Sequence, residues 1–188
     1  MEFRITTPVS RKDLADLRAG DSVFLSGIVY TARDAAHQRM MECLKKGEPL
    51  PYPIDGSAVY YAGPTPARPG QIIGAIGPTT ASRMDASSPA LLDLGQKILI
   101  GKGRRDENVR KAIMRNGAVY LGALGGAGAL AAQSIKSAEV LCWPDLGCEA
   151  VRKLLVEDWC LTVIIDSLGN DLYEIGPKNY RDSQEKLP

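Results

Sequence analysis

From Glu2 to Thr7 apolar and polar positions alternate, the period of a strand with one buried face, and Pro8 stops the run. Ser10 then caps a short helix reaching Leu17, closed by Gly20-Asp21. Val23 to Thr31 (VFLSGIVYT) is rich in β-branched and aromatic residues and predicts a second strand. It runs straight into Arg33 to Lys46, where Ala36, Met40, Met41 and Leu44 recur at helical spacing and Gly47 supplies a stop. Residues 47–57 are a loop.

The middle repeats this order. Ala58 to Ala62 and Ile72 to Ile76 are strand candidates joined by the Pro- and Gly-rich GPTPARPG. A helix from Pro89 to Leu94, a strand from Lys97 to Ile100, a helix from Asp106 to Arg115 and a strand from Ala118 to Leu121 follow. Gly128 to Ile135 predicts a small-residue helix, and Glu139–Trp143, Glu149–Val156 and Leu161–Asp166 continue the alternation. The segment VIIDSLGNDLYEI predicts a hairpin across Leu168-Gly169-Asn170. Strands alternating with helices imply βαβ units and a mostly parallel core sheet with added antiparallel elements, an α/β fold. The expected organisation is one domain over residues 1–177 and a polar tail over residues 178–188.

Composition narrows the function classes. Apolar residues make up 45% of the 188, enough for a sizeable core. Charge balances, with 23 Lys+Arg against 22 Asp+Glu, which argues against a nucleic-acid or anionic-membrane partner because both select a net basic face. No apolar run approaches the ~20 residues of a bilayer span, and the opening MEFRITTPVSRKDL is too polar for a secretory or transit segment. A cytoplasmic location is expected. The four cysteines contain no CxxC pair and His37 is the only histidine, so no self-contained zinc or iron–sulfur site is expected.

Three glycine-containing turns follow candidate strands: GPTTASRMD (77–85), GKGR (101–104) and GALGGAGAL (122–130). The last invites a dinucleotide reading, but its spacing is GxxGGxG, and none of the three carries the Lys-Ser/Thr of a Walker loop. Close helix–sheet packing accounts for it as well. The cations say more. Arg33 starts a helix, where the macrodipole disfavours a cation, so either a nearby anion or a partner such as Asp34 is expected. Arg83 lies in a turn whose free N–H groups suit an anion, and Lys102 follows a strand at the carboxyl end, where parallel sheets bind ligands. Together these three suit a small dicarboxylate, since Arg grips a carboxylate with two parallel bonds. His37 lies one turn after Arg33, on the same face.

The strings GIVYTARDAAHQR, YYAGP (60–64), GPTTASRMD, GKG, YLGALGG and WPDLGCEA together resemble the beta subunit, or C-terminal half, of the class I iron–sulfur fumarate hydratases and L-tartrate dehydratases. The resemblance covers nearly the whole chain, and GPTTxxRMD combined with RDxxH is its most specific part. It implies a swivelling β/β/α domain, and an alpha subunit that carries the cysteine ligands of a [4Fe–4S] cluster. It implies a carboxylate clamp from Arg33 and Arg83, with Lys102 also facing substrate and Thr79 as the proton-abstracting base. Thr79 needs activation, because a free alkanol is too weak an acid; Lys102 and Arg83 are candidates to stabilise its alkoxide, and Asp85 to accept its proton. The Asp after Arg83-Met84 and the YYAGP string favour fumarate/malate over tartrate. A non-catalytic anion-binding α/β module and a nucleotide-binding domain are the alternatives. Assembly as one alpha–beta pair, a dimer of pairs, or a homodimer in isolation stays open.

Overall fold

A computed structural model describes residues 1–184. The strands are β1 (Glu2–Thr7), β2 (Ser22–Thr31), β3 (Ala58–Tyr60), β4 (Ile98–Gly101), β5 (Val119–Gly122), β6 (Ile135–Cys142) and β7 (Val151–Ile165). Between them lie helices α1 (Arg11–Leu14), α2 (Asp34–Lys46), α3 (Ser88–Asp93), α4 (Glu107–Asn116) and α5 (Gly128–Gln133), and α6 (Leu172–Gln184) follows β7. The fold is mixed α/β. Strands β1 to β5 pair in parallel in chain order, while β7 runs antiparallel to β5, β6 and β2. Because β7 touches both β5 and β2, the sheet closes on itself through β2-β3-β4-β5-β7, leaving β1 and β6 as its free edges.

Period-2 alternation assigns the strand residues to two cores. Tyr60, Ile98, Ile100, Val119 and Leu121 point inward and meet Val23, Leu25, Leu161 and Val163. Val59, Leu99 and Tyr120 point outward, against Met40 of α2, Leu91 of α3 and Ile113 of α4. The β2–α2 unit forms where its pattern predicts, and Gly47, at φ 68°, ends the helix in the left-handed conformation.

Three expectations need correction. Residues 72–76 form no strand: Ile76 gives its N–H to Gly128 and Ala75 its carbonyl to Thr65, so the segment is a loop tied to its surroundings. Residues 149–156 and 161–166 are not separate elements of the alternation. From Val151 onward they belong to the 15-residue β7, which carries one extra residue against β2 where Asp158 adopts φ 47°. That bulge breaks the apolar period and hides a single long strand. The C-terminal hairpin reduces to one bridge between Ile165 and Asp171. The Asp166 carboxylate takes the N–H groups of Leu168 and Asn170, Asp171 accepts the N–H of Tyr173, and a helix starts there instead. Helix α6 therefore runs on through residues 178–184 of the expected tail; the last four residues lie outside the described ones.

Candidate active site

The parallel pairing places the predicted cations by register. Thr31 pairs with Tyr60, Tyr60 with Ile100, and Ile100 with Leu121. Two residues beyond that line at the carboxyl ends stand Arg33 after β2, Ala62 after β3 and Lys102 after β4. With strands about 4.8 Å apart, Arg33 and Lys102 are set roughly 10 Å from each other along one edge. The GPTT loop fills the gap between them. Ala62 bridges Pro78, Thr79 donates its N–H to the Tyr61 carbonyl at 2.7 Å, and Thr80 bridges Lys102. Thr79 is thereby pinned at the ends of β3 and β4. Its side chain is buried, and its hydroxyl makes no hydrogen bond among the described residues.

Arg33 is the N-cap residue of α2 and gives the helix no side-chain cap. Two carboxylates offset the unfavourable placement. Its Nε lies 3.1 Å from Asp34 and 3.5 Å from Glu149. Glu149 also accepts the N–H of Ala35 at 2.7 Å, satisfying a free donor in the first turn. Glu149 reaches this point because the 3-10 segment Pro144–Glu149 packs on α2, where Arg39 forms a forked ion pair with Asp145.

Asp34 joins the two arginines. One oxygen faces Arg33 and the other stands 3.6 Å from Nη1 of Arg83, whose side chain is 48% exposed. Burial pushes the Asp34 carboxyl up, but its own backbone N–H and the two guanidiniums more than offset this, and it stays below the usual carboxylate range. Lys102 is exposed, runs along Gly125 of the β5–α5 loop, and has no carboxylate within ion-pair distance among the described residues. Three cations thus face two carboxylates, and Arg83 and Lys102 keep open sides. An incoming anion meets net positive charge at this edge.

His37 lies beneath this edge. It is buried, with Nδ1 3.2 Å from the Arg33 carbonyl and its ring edge-on to Tyr61 at 5.4 Å. Its Nε2 has no hydrogen-bond partner. Burial, with some help from the charge of Arg105, pushes its pKa down to about 4, so the ring is neutral. With Asp34, Arg83 and Ser87 it lines a groove of about 410 Å³ between α2 and the 3-10 segment Ala81–Met84.

Asp85, the expected proton acceptor for Thr79, has both carboxylate oxygens hydrogen-bonded. Its Oδ1 accepts Nε of Arg105 at 2.6 Å and its Oδ2 accepts the N–H of Asp106 at 2.8 Å. Arg105 and Glu149 are the residues the sequence reading missed. Arg105 reads as one of two adjacent loop arginines. Glu149 sits in the quoted WPDLGCEA string without an assigned role. All four cysteines are free, and among the described residues no three His, Cys, Asp or Glu side chains converge as a metal-holding group. No helix among the described residues is long and apolar enough to cross a membrane.

The fold and this edge define a mixed α/β domain with an anion-facing crevice at the carboxyl ends of its parallel strands. Residues 1–176 match the family described as Fumarase C-terminus, and the chain belongs to that family. It is 41% identical over 169 residues to fumarate hydratase 2 of Leishmania major, and 41% identical over 152 residues to the aerobic class I fumarate hydratase of Escherichia coli strain K12. Those alignments cover 87% and 80% of this chain but 29% and 28% of the relatives, so the chain spans less than a third of their length. It is 31% identical to the beta subunit of L(+)-tartrate dehydratase from E. coli K12, over 100% of this chain and 94% of that subunit.

Proposed function

We propose that this chain is the beta subunit of a two-subunit iron–sulfur hydro-lyase, a swivelling β/β/α domain whose assembled enzyme hydrates fumarate reversibly to L-malate. The observation that carries this reading is the placement of Arg33, Thr79, Arg83 and Lys102 at one edge, with open positive charge beside the unpartnered hydroxyl of a mostly buried threonine. Arg83 and Arg33 would hold one substrate carboxylate with parallel bonds and fix the dicarboxylate for reaction. In the malate-to-fumarate direction Thr79 would take the C3 proton. Its alkoxide would be stabilised by Lys102 and Arg83, since Asp85 is already engaged.

The [4Fe–4S] cluster of this family would supply a Lewis acid. Among the described residues the four free cysteines do not converge with other metal-ligating side chains. We assign the cluster to an alpha subunit, which would complete the site from the open side of the crevice in the cytoplasm, in one alpha–beta pair or two.

Tartrate is the second reading, supported by end-to-end alignment with a tartrate dehydratase beta subunit. Co-expression with a cysteine-bearing alpha chain, followed by anaerobic assay on malate, fumarate and L-tartrate, tests both. Faster turnover of malate and fumarate supports the first, and preference for tartrate the second. A complex that forms but turns over none of the three overturns the hydro-lyase reading.

A further inference from the structure

Among the described residues in ion pairs Arg105 is the most deeply buried cation, with a side chain 0% exposed. Its guanidinium serves three acceptors in three directions: Nε to Asp85 at 2.6 Å, Nη2 to Ser88 at 2.7 Å and Nη1 to the Tyr61 hydroxyl at 3.4 Å. It also stands 5.2 Å from the ring centres of both Tyr61 and Tyr120. None of these groups faces the crevice with a free polar atom. A buried pair of this kind contributes little net stability compared with apolar packing, so its chemistry calls for another explanation.

The elements it joins supply one. Asp85 ends the segment that carries Thr79 and Arg83, and Ser88 bonds back to the Met84 carbonyl. Tyr61 holds the Thr79 N–H with its own carbonyl. Asp85 also accepts the N–H of Asp106, and the Tyr120 hydroxyl donates to the Gly103 carbonyl, so the loop after Lys102 is held from both sides. We propose that Arg105, through Asp85, is the positioning residue of this site: one buried guanidinium locks the Thr79–Arg83 segment and the Lys102 loop onto the ends of β3 and β4. Asp85 then acts as half of this brace and not as a proton acceptor. A Lys at 105 would keep the charge but has no planar fork to reach three acceptors at once.

The proposal rests on the hydro-lyase reading for its kinetic consequence, but not for its structural one. The test therefore has two arms, using Arg105→Lys, Asp85→Asn and the double variant in the assembled alpha–beta complex. In the first, hydrogen exchange of the Thr79, Ala81 and Asp106 amides speeds up about tenfold or more, while the β2 and β7 amides keep wild-type rates, as expected for local and not global opening. Unchanged exchange at those three amides, or a rise spread evenly over the strands, overturns the brace whether or not the enzyme is a hydro-lyase. In the second, each single variant loses roughly 10²-fold in kcat, the scale of a 1 Å misplacement. KM changes less, and the pH profile keeps its shape. The double variant is no slower than the worse single one, because both break the same contact. Losses that multiply in the double variant overturn the proposal. So does a loss confined to Asp85→Asn with an altered acidic limb, which would make Asp85 a proton acceptor. Should Arg105→Lys fail to fold, Asp85→Asn, which preserves size but keeps only one of the two acceptor oxygens, carries both arms. A wild-type complex inactive on all three substrates leaves the exchange arm to decide.

Discussion

Asp34 stands 3.6 Å from Nη1 of Arg83 with one carboxylate oxygen while its other oxygen, 3.1 Å from Nε, holds Arg33. Two guanidiniums from different elements are thereby fixed on a common anion before any substrate arrives. Arg83 is the half-exposed member of the set, so its donors are the more open to an incoming anion. Replacing it by Lys keeps the charge and removes the fork. Arg83→Lys in the assembled complex is expected to lose about 2–4 kcal/mol of transition-state stabilisation, roughly 30- to 1,000-fold in kcat/KM. Steady-state kinetics on malate checks this, and a change under threefold removes Arg83 from the substrate contact.

Thr79 and Thr80 are neighbours with different surroundings. Thr79 is buried with an unpartnered hydroxyl; Thr80 is exposed and bridges Lys102 through its backbone. Thr79→Ala should preserve folding and substrate affinity while kcat drops by roughly 10²–10⁴, the scale of general-base catalysis. Thr79→Ser should keep most activity, and Thr80→Ala should affect mainly stability. Deuterium exchange from solvent into C3 of malate isolates the proton step. Wild-type exchange in Thr79→Ala would place the base elsewhere.

The sequence showed the site's cations more clearly than their supports. Arg33, Arg83 and Lys102 each follow a strand or turn that local pattern identifies, and the register of β2, β3 and β4 brings those ends together. Arg105 was not legible because nothing local distinguishes it from Arg104. Its burial arises only when Tyr61, Asp85 and Tyr120, up to 44 residues away in sequence, converge on it. The same holds for Glu149, which reaches Ala35 across 114 residues. The misread elements have local causes of two kinds. In β7 a bulge interrupts the period, and after Ile165 the carboxylates of Asp166 and Asp171 decide between hairpin and helix.

Gly128 supports the GPTT loop from the other side. Its carbonyl accepts the Ile76 N–H at 3.0 Å, and a Cβ at this position would lie 2.8 Å from the Gly77 nitrogen and 3.1 Å from the Ile76 carbonyl carbon. Both neighbours are backbone atoms and cannot rotate away. Gly128→Ala is therefore expected to cost about 1–3 kcal/mol, as for other overpacked sites. It should also reduce activity by displacing the segment that leads into Thr79. Gly126→Ala, with open space at its Cβ, is the contrasting case: strain at φ 82° costs stability there without touching the loop. Urea denaturation and kinetics on both variants distinguish contact from strain. Equal activity losses would show that the Ile76–Gly77 contact does not matter.

His37 gives the fold a pH dependence with a definite sign. Its ring is buried against Tyr61, and its pKa falls from the ordinary 6.5 to about 4. The unfolded chain therefore binds a proton more readily than the folded one at pH values between these two. Stability must rise with pH across that window and fall as pH drops through 6.5 toward 4. At pH 5 the loss relative to pH 7.5 amounts to about 2 kcal/mol from this one group. His37→Asn offers an amide N–H to the Arg33 carbonyl and cannot titrate, so its stability should be flatter over the same range. The comparison is urea unfolding of the two proteins at pH 5 and pH 7.5, with carboxylate effects common to both. A wild-type loss no greater than that of His37→Asn would mean the imidazole reaches water in the folded state, and that its place beneath Arg33 is open to the crevice.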